Sequence, residues 1–325
     1  MQNVALIGID LGKHSFHIHC QDKSGNALLR KKFTRTKLMQ FLATCPSSVV
    51  VMEACAGAHF MARRISDIGH EAKLISPQFV RPFVKSNKND FIDAEAICEA
   101  ASRPSMRFVQ PRTETQQAMR ALHRVRESLI RDKVKTTNQI HGFLLEFGIS
   151  LPTGDAAIKR LSLLLAEHEV PEYLSRLLMK LHAHYLYLIE QITELESELN
   201  QSIKADATAQ RIMTIPGVGP MTASLLSSQL GDGKQFSCSR DFEYSTGGKS
   251  TLLGISKRGN KNLRRLLVQC ARSFMMRLEH QQGRLAEWVR KQLDNKHSNI
   301  VACALANKLA RIAWAITALQ KEYQA

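Results

Sequence analysis

Val4-Ala-Leu-Ile-Gly-Ile-Asp10 is an apolar run that ends on an acid. A second run, Ser48-Val-Val-Val-Met52, ends in the same way, because Glu53 follows it. Both runs are short and rich in β-branched residues, which predicts two buried strands. A carboxylate at the end of a buried strand costs free energy to desolvate unless it is paired or binds a metal ion. The two strand ends therefore indicate a functional site.

Two further acids begin a helical stretch, Asp90-Phe-Ile-Asp-Ala-Glu-Ala-Ile-Cys-Glu99. Asp90 and Asp93 are three residues apart, a spacing that places both on one face of a helix. With Asp10 and Glu53 they supply four carboxylates, and hard oxygen ligands of this kind are the ones that Mg²⁺ prefers. The four acids therefore predict a site for Mg²⁺, or for Mn²⁺ in its place. The alternative for the helical pair is that Asp90 is an N-cap and Asp93 belongs to an acidic first turn.

Strand and helix patterns alternate over residues 1–105. The predicted strands cover 4–9, 14–20, 27–33, 48–52 and 72–75, and the predicted helices lie near 36–43, 58–69, 78–86 and 90–101. Because short polar turns join the first three strands, we expect an antiparallel meander, to which helix-linked strands then add in parallel. This order predicts an α/β domain of the RNase H-like (RuvC-like) type, with its site at the carboxyl ends of neighbouring parallel strands.

Helical patterns dominate the remainder, which we divide into a helical segment over 106–205 and a mainly helical domain over 206–325. Within the first of these, Tyr173–Ile203 carries apolar residues at spacings of three and four. This pattern predicts a long amphipathic or coiled-coil helix and favours oligomerisation. The alternative is an intramolecular helical hairpin with 116–147.

The charge of the chain is strongly positive, with 45 Lys and Arg against 29 Asp and Glu and a formal net charge of +16. Such a surplus suits a polyanionic partner, because each neutralised phosphate releases counterions. Between Ser256 and Lys291 ten basic residues accompany two Glu, and apolar residues recur there at helical spacing. We therefore predict a structured basic helix that contacts phosphates through Lys257, Arg258, Lys261, Arg264 and Arg265.

The seven cysteines are scattered and show no CxxC pairing. This argues against a zinc site and a disulfide framework and favours a reducing compartment. We find neither a signal peptide nor an apolar stretch of the length that spans a bilayer. The expected location is the cytoplasm, without a membrane partner.

A glycine-rich turn, Ile215-Pro-Gly-Val-Gly219, precedes the helical run that begins at Pro220. It resembles a helix-hairpin-helix, in which Gly217 and Gly219 would expose backbone N–H groups to a phosphate. The alternative is an ordinary Gly/Pro turn between helices.

A loop rich in hydroxyls follows, Tyr244-Ser-Thr-Gly-Gly-Lys-Ser-Thr251. The spacing of a phosphate-binding P-loop is absent from it. Ser245 could attack phosphorus, with Lys249 stabilising the developing charge. Composition alone also fits a solvated loop.

Six motifs occur in a fixed order with matching spacing: Gly8-Ile-Asp10, Met52-Glu53-Ala54, Asn87-Lys-Asn-Asp-Phe-Ile-Asp-Ala94, Ile215-Pro-Gly-Val-Gly219, Ser245-Thr-Gly-Gly-Lys249 and Ile255-Ser-Lys-Arg-Gly259. Together they resemble the DEDD transposases of the insertion sequence 110 family, and within it the insertion sequence 1111 subgroup. The resemblance covers nearly the whole chain. It implies a RuvC-like domain, a coiled-coil dimerisation segment and a C-terminal transposase domain.

The resemblance also implies roles for individual residues. The family's Mg²⁺-binding acids correspond to Asp10, Glu53, Asp90 and Asp93. Its nucleophilic serine corresponds to Ser245, with Thr246 as the alternative nucleophile one place later. The segment before this serine is shorter here than family members usually have. The implied reaction is strand cleavage and exchange by transesterification through a covalent phosphoserine, without nucleotide hydrolysis.

The partners implied by the resemblance are donor and target DNA and a structured non-coding guide RNA, the bridge RNA, that pairs with both. It further implies a homo-oligomer, a dimer that becomes a tetramer in the synaptic complex, in the bacterial cytoplasm and associated with the nucleoid when active.

Three other functions remain open from the residues alone. A metal-dependent junction resolvase would use the acids to activate water without a covalent intermediate. A non-catalytic nucleic-acid-binding protein would keep the basic helix and need no acids. Gly8-Ile-Asp-Leu-Gly12 is also similar to the first phosphate loop of actin-like ATPases, but we find no second loop of that class.

Overall fold

A computed structural model describes residues 4–85, 89–152, 154–234 and 260–324 of the chain. It contains two compact units, which comprise Met1–Thr115 and Gln116–Ala325. The division into three parts at 105 and 205 stays a prediction.

The first unit is built on a mixed sheet of six strands: β1 Leu6–Leu11, β2 Phe16–Gln21, β3 Ala27–Phe33, β4 Val49–Glu53, β5 Glu71–Ile75 and β6 Phe108–Val109. Their order across the sheet is β3-β2-β1-β4-β5-β6. β1, β2 and β3 form antiparallel pairs, whereas β4 pairs in parallel with β1 and β5 in parallel with β4. The predicted meander with parallel additions is therefore confirmed. β6, which is antiparallel to β5, was not predicted, because two residues are too few to show the alternation of apolar and polar residues that marks a strand.

Four α-helices accompany the sheet: α1 Arg35–Ala43, α2 Ala58–Asp67, α3 Pro77–Val80 and α4 Asp90–Ala101. The prediction of one helix over 78–86 is wrong. α3 ends at Val80 and a 3₁₀ turn, Arg81–Phe83, follows it. Pro82 gives the physical reason, since proline has no N–H to donate to a helix and its ring collides with the preceding turn.

Gly8 allows α4 to lie directly against the middle of β1. A β-carbon at this position would be 2.4 Å from the backbone oxygen of Ala94 and 2.7 Å from the sulfur of Cys98. The neighbouring helix residues are buried, and Ile97 is fully so. The close approach of helix and strand therefore requires glycine, and it fixes where α4 begins relative to the end of β1.

We predict that Gly8→Ala destabilises the protein by about 1–3 kcal/mol, the usual cost of overpacking a core. The new methyl group meets backbone, which cannot rotate away. The measurement is urea unfolding followed by circular dichroism. Gly142→Ala is the control: this glycine lies in a helix with nothing within 4 Å of an added methyl group, so alanine should be neutral or stabilising by up to about 1 kcal/mol. Equal stability of wild type and Gly8→Ala would contradict the close packing.

Helices make up the second unit in its described residues. They are α5 Glu114–Leu145, α6 Asp155–Lys159, α7 Leu161–Glu167, α8 Glu172–Lys204, α9 Ala207–Met213, α10 Pro220–Leu230, α11 Lys261–Met276, α12 Arg284–Leu293 and α13 Ser298–Leu319. The long helix predicted over Tyr173–Ile203 is confirmed as α8.

α5 and α8 pack against each other within the chain. Ile140 and Leu144 of α5 share a buried cluster with Leu178 and Tyr185 of α8. An ion pair also joins the helices, because Arg126 Nε donates to Glu196 Oε1 at 2.9 Å. The intramolecular hairpin, which was the alternative to oligomerisation, is therefore present. Oligomerisation itself stays a prediction.

The basic segment predicted as one helix, Ser256–Lys291, contains two helices in its described part, α11 and α12. A 3₁₀ turn, Leu278–His280, separates them, and Gly283 before α12 has φ +87°, a conformation that favours glycine. The apolar positions of α11 are buried as predicted, at Leu263, Leu266, Leu267, Cys270 and Phe274.

α13 is long and apolar enough to cross a membrane by length and composition. The sequence-based expectation that no stretch has this length is therefore wrong. Half of its most apolar window is buried inside the protein, and Leu305, Leu309 and Ala313 are fully buried in the core of the second unit. Packing in this core accounts for the apolar character of α13.

Candidate functional site

Asp10 and Glu53 lie side by side at the carboxyl ends of two parallel strands. The register of β1 and β4 runs from Leu6 opposite Val49 to Ile9 opposite Met52, so the next residues along the two strands are the two acids. Neighbouring strands are about 5 Å apart. The topology thus brings together two carboxylates that are 43 positions apart in the sequence.

The negative charge at this strand end affects the pKa of the neighbouring Cys55 thiol. Partial desolvation raises the pKa of Cys55, and the negative charges of Glu53 and then Asp10 raise it further. Both carboxylates therefore act on the same small region, just after β4.

Asp90 is the first residue of α4, and Asn89 before it is the N-cap. The Asn89 side chain accepts a hydrogen bond of 3.0 Å from the backbone N–H of Phe91. The alternative in which Asp90 caps the helix is therefore wrong. Asp90 and Asp93 both belong to the first turn, where the helix dipole stabilises negative charge.

His17 completes this region and was not predicted from the sequence. It lies on β2 directly opposite Asp10. Its side chain is buried, and its Nδ1 is 3.4 Å from Asp90 Oδ2. The edge of the Phe91 ring packs on it with 4.7 Å between ring centroids. The hairpin register would have identified His17. The sequence could not give that register, because the predicted start of this strand, at 14, is two residues before the start of β2.

Asp10, His17 and Asp90 form a group that could hold a metal ion, which we call the DHD cluster. Their ligand atoms all lie within 4.8 Å of one another. Two carboxylates and an imidazole are suitable donors for a divalent cation, so the residues fit such an ion. Among the described residues the group includes neither Glu53, on the neighbouring strand, nor Asp93, three positions into α4.

A second region with functional character is a basic groove of about 770 Å³ in the second unit. Its cations are Arg131 of α5 and, from α11, Lys261, Arg264, Arg265 and Arg272. Glu127 also lines it and pairs with Arg131 at 2.6 Å. α11 buries its apolar face in the core, so its basic face is left to line the groove. Arg131 could not be assigned to it from the sequence, because it comes from a helix more than a hundred residues earlier.

The two glycines of the predicted phosphate-binding turn have structural roles. Gly217 has φ +84°, and a β-carbon there would be 3.0 Å from both the backbone oxygen of Cys270 and the side chain of Phe274. Gly219 is the N-cap of α10. Burial raises the pKa of the Cys270 thiol, and hydrogen bonds with Thr222 and the Gly219 backbone act in the opposite direction. Packing against α11 therefore explains the glycine at 217, and phosphate contact by the turn stays a prediction.

The remaining predicted site residues lie outside the described residues, within 235–259. They are Ser245, Thr246, Lys249, Lys257 and Arg258.

Comparisons with known proteins agree along the length of the chain. One family model, described as "Transposase", matches residues 7–149, and another, described as "Transposase IS116/IS110/IS902 family", matches residues 209–286. The "Transposase for insertion sequence element IS1328" of Yersinia enterocolitica is 70% identical over 98% of each chain. The "Transposase for insertion sequence element IS1111A" of Coxiella burnetii is 37% identical over all of this chain and 92% of its own. A "Probable family 20 transposase" of Pseudomonas aeruginosa is 38% identical over 99% of each chain.

We predict that Asp10→Asn and Asp90→Asn each weaken divalent-cation binding by more than about 100-fold, because loss of even an outer-shell partner costs 10–100-fold. The measurement is a Mn²⁺ titration followed by electron paramagnetic resonance of the free ion. Asp67→Asn is the matched control, since Asp67 is an exposed acid paired with Arg64. If all three variants bind Mn²⁺ like wild type, the DHD cluster is not a metal site.

Proposed function

The chain belongs to the IS110 family of transposases and is similar to its IS1111 members, and from that membership we propose that it cleaves and rejoins DNA strands through a covalent protein–DNA intermediate. The observation that carries the proposal is the acidic strand end beside the start of α4, in a chain whose second unit presents a basic groove. The acids suit metal-assisted phosphoryl transfer, and the groove suits a phosphate backbone.

Asp10 and Asp90, with Glu53 and Asp93 beside them, are proposed to hold Mg²⁺ or Mn²⁺. When bound, such an ion supplies Lewis acidity towards a phosphate oxygen. The residues themselves gather negative charge at one place, at the carboxyl ends of β1 and β4 and the first turn of α4. The pairing of β1 with β4 positions Asp10 and Glu53, and the helix dipole stabilises the negative charge of Asp90 and Asp93 in the first turn of α4.

Ser245 is proposed as the nucleophile, with Thr246 as the alternative. Its Oγ forms a bond to phosphorus while the bond from phosphorus to one sugar oxygen breaks, and that oxygen leaves with a proton. The phosphodiester energy is kept in the protein–DNA bond, so rejoining needs no nucleotide hydrolysis. Lys249, four positions on, is proposed to stabilise the negative charge that develops on the phosphoryl group.

Phosphate binding by the basic groove is the next element of the proposal. Lys261, Arg264 and Arg265 on α11 were assigned to phosphates from the sequence, and the groove adds Arg131 and Arg272 to them. Lys257 and Arg258 precede α11 in the sequence and are proposed as further phosphate contacts. Backbone N–H groups of the Gly217–Gly219 turn are proposed as a further phosphate contact, with α9 and α10 as the helices of a helix-hairpin-helix.

The assembly is proposed to include a structured guide RNA and further copies of the chain. The net charge of +16 suits two nucleic acids as partners. Apolar side chains remain exposed on α8, among them Tyr173, Leu186 and Tyr187, and support a coiled-coil dimer that could form a tetramer. We place the protein in the cytoplasm, associated with the nucleoid when active.

We predict that a labelled DNA strand becomes covalently attached to the protein and that Ser245→Ala abolishes this adduct. The experiment uses a nicked element-end substrate, which lets the cleaved strand diffuse away and traps the intermediate, and a denaturing gel. Ser250→Ala is the control, because Ser250 belongs to the same hydroxyl-rich stretch of sequence. If the adduct is lost in Thr246→Ala and kept in Ser245→Ala, the nucleophile is Thr246.

Two other outcomes would support the alternative functions. Metal-dependent cleavage without any adduct would indicate a junction resolvase, and DNA binding without cleavage would indicate a non-catalytic protein.

We predict that Arg264→Ala and Arg265→Ala weaken DNA binding at all sequences and flatten its salt dependence. Each lost phosphate contact should reduce the slope of log K against log salt by about 0.9. Fluorescence anisotropy across a salt series measures it. The control is Lys296→Ala, which removes one positive charge from an exposed side chain bonded to Gln292 and outside the groove lining. Slopes unchanged in both arginine variants would contradict phosphate contact by the groove.

A further inference from the structure

His17 is buried at the point where the acids converge, although none of the sequence motifs includes it. Its residue is 5% exposed, and it stands opposite Asp10 in the register of β1 and β2. Histidines in a core usually satisfy both ring nitrogens with protein groups. The Nδ1 atom of His17 faces the exposed carboxylate of Asp90, which is itself one of the acids of the predicted metal site.

The distance between these two groups is informative. Nδ1 and Asp90 Oδ2 are 3.4 Å apart, which is longer than the 2.7–3.2 Å of an ordinary N–H···O hydrogen bond. Neighbouring ligands of an octahedral ion at 2.0–2.1 Å lie about 3 Å from each other. The Nδ1–Oδ2 distance is thus near the spacing of two neighbouring ligands. The spread of up to 4.8 Å within the DHD cluster is wider than an occupied site of this kind, so the side chains would have to move together around an ion.

The ring of His17 is also held in place. Phe91, the residue after Asp90, contacts it edge-on at 4.7 Å and an interplanar angle of 74°. The backbone N–H of Phe91 is in turn bonded to Asn89. The helix cap, the aromatic contact and the strand register thus orient one nitrogen towards the two carboxylates, as a preorganised ligand requires.

We propose that His17 Nδ1 is a direct ligand of the divalent ion held by Asp10 and Asp90, which makes the centre a mixed nitrogen–oxygen site. This inference rests on the metal site of the proposed function and adds its selectivity. Imidazole suits transition metals, whereas Mg²⁺ prefers oxygen ligands. The site therefore binds Mn²⁺ more tightly relative to Mg²⁺ than an all-carboxylate site does. The contrasting role for His17 is that of a positioning residue, which orients Asp90 through charge without touching the ion.

The test is pulsed electron paramagnetic resonance of Mn²⁺ bound to the full chain. In unlabelled wild type we expect electron spin echo modulation from a ¹⁴N nucleus bound directly to Mn²⁺. In wild type grown on ¹⁵N-histidine we expect the ¹⁵N pattern in its place. His17→Asn places an amide oxygen near the position of Nδ1. It should lose the nitrogen modulation, weaken Mn²⁺ binding at least about tenfold, and lower the ratio of Mn²⁺ to Mg²⁺ affinity. His14→Asn, in the exposed turn before β2, is the control and should keep all three properties.

The outcomes separate this inference from the metal site itself. If Mn²⁺ binding depends on Asp10 but wild type shows no nitrogen modulation, His17 is not a ligand and the metal site itself still stands. Mn²⁺ binding that is unchanged in Asp10→Asn would overturn the site and the inference together. If His17→Asn does not fold, the ¹⁵N-histidine sample of wild type still tests ligation by a histidine, and His17 is the histidine grouped with Asp10 and Asp90 among the described residues.

Discussion

The contact of α4 with β1 over Gly8 is the constraint on which the acidic site depends. The helix backbone approaches the strand so closely that a methyl group at Gly8 would lie 2.4 Å from a carbonyl oxygen. Asp10 is two residues beyond this contact along β1, and Asp90 is one turn before it along α4. The glycine therefore sets the distance between two carboxylates that the sequence separates by 80 positions. A bulkier residue would push the helix away from the strand and separate Asp90 from Asp10.

Burial beneath α4 also explains why the polar side chains between this helix and the sheet are uncharged. His19 lies on the same face of β2 as His17, and burial and the charge of Arg30 lower its pKa, which keeps it neutral. The Cys98 thiol donates to the backbone oxygen of His19 at 3.3 Å, and burial raises the pKa of Cys98 to about 12. The groups inside this interface are thus uncharged, whereas the charges gather at its open end, where α4 begins.

The sequence predicted those features that depend on neighbours along the chain. The apolar runs of β1 and β4 and the buried stripe of α11 have the period of their element, so pattern alone located them. Features that depend on pairing were missed. His17 needed the register of a hairpin, Arg131 needed the packing of α5 near α11, and β6 exists only through its bonds to β5. Strand ends and helical spacing identified the four acids, and the family resemblance agreed with that set, but neither could identify a residue that the motifs leave out.

The signs of the charges connect the two candidate sites. The basic groove attracts phosphates by itself, because five cations face one glutamate there. The strand end has the opposite character, since Asp10, Glu53 and Asp90 would repel a phosphodiester. A divalent ion reverses the sign of that local field. In the proposed function, metal binding is therefore a condition for placing a phosphate at the acids, whereas attraction of DNA to the groove would not depend on the metal. The proposed imidazole ligand would strengthen this effect, because it would bind the ion without adding another negative charge that repels the substrate.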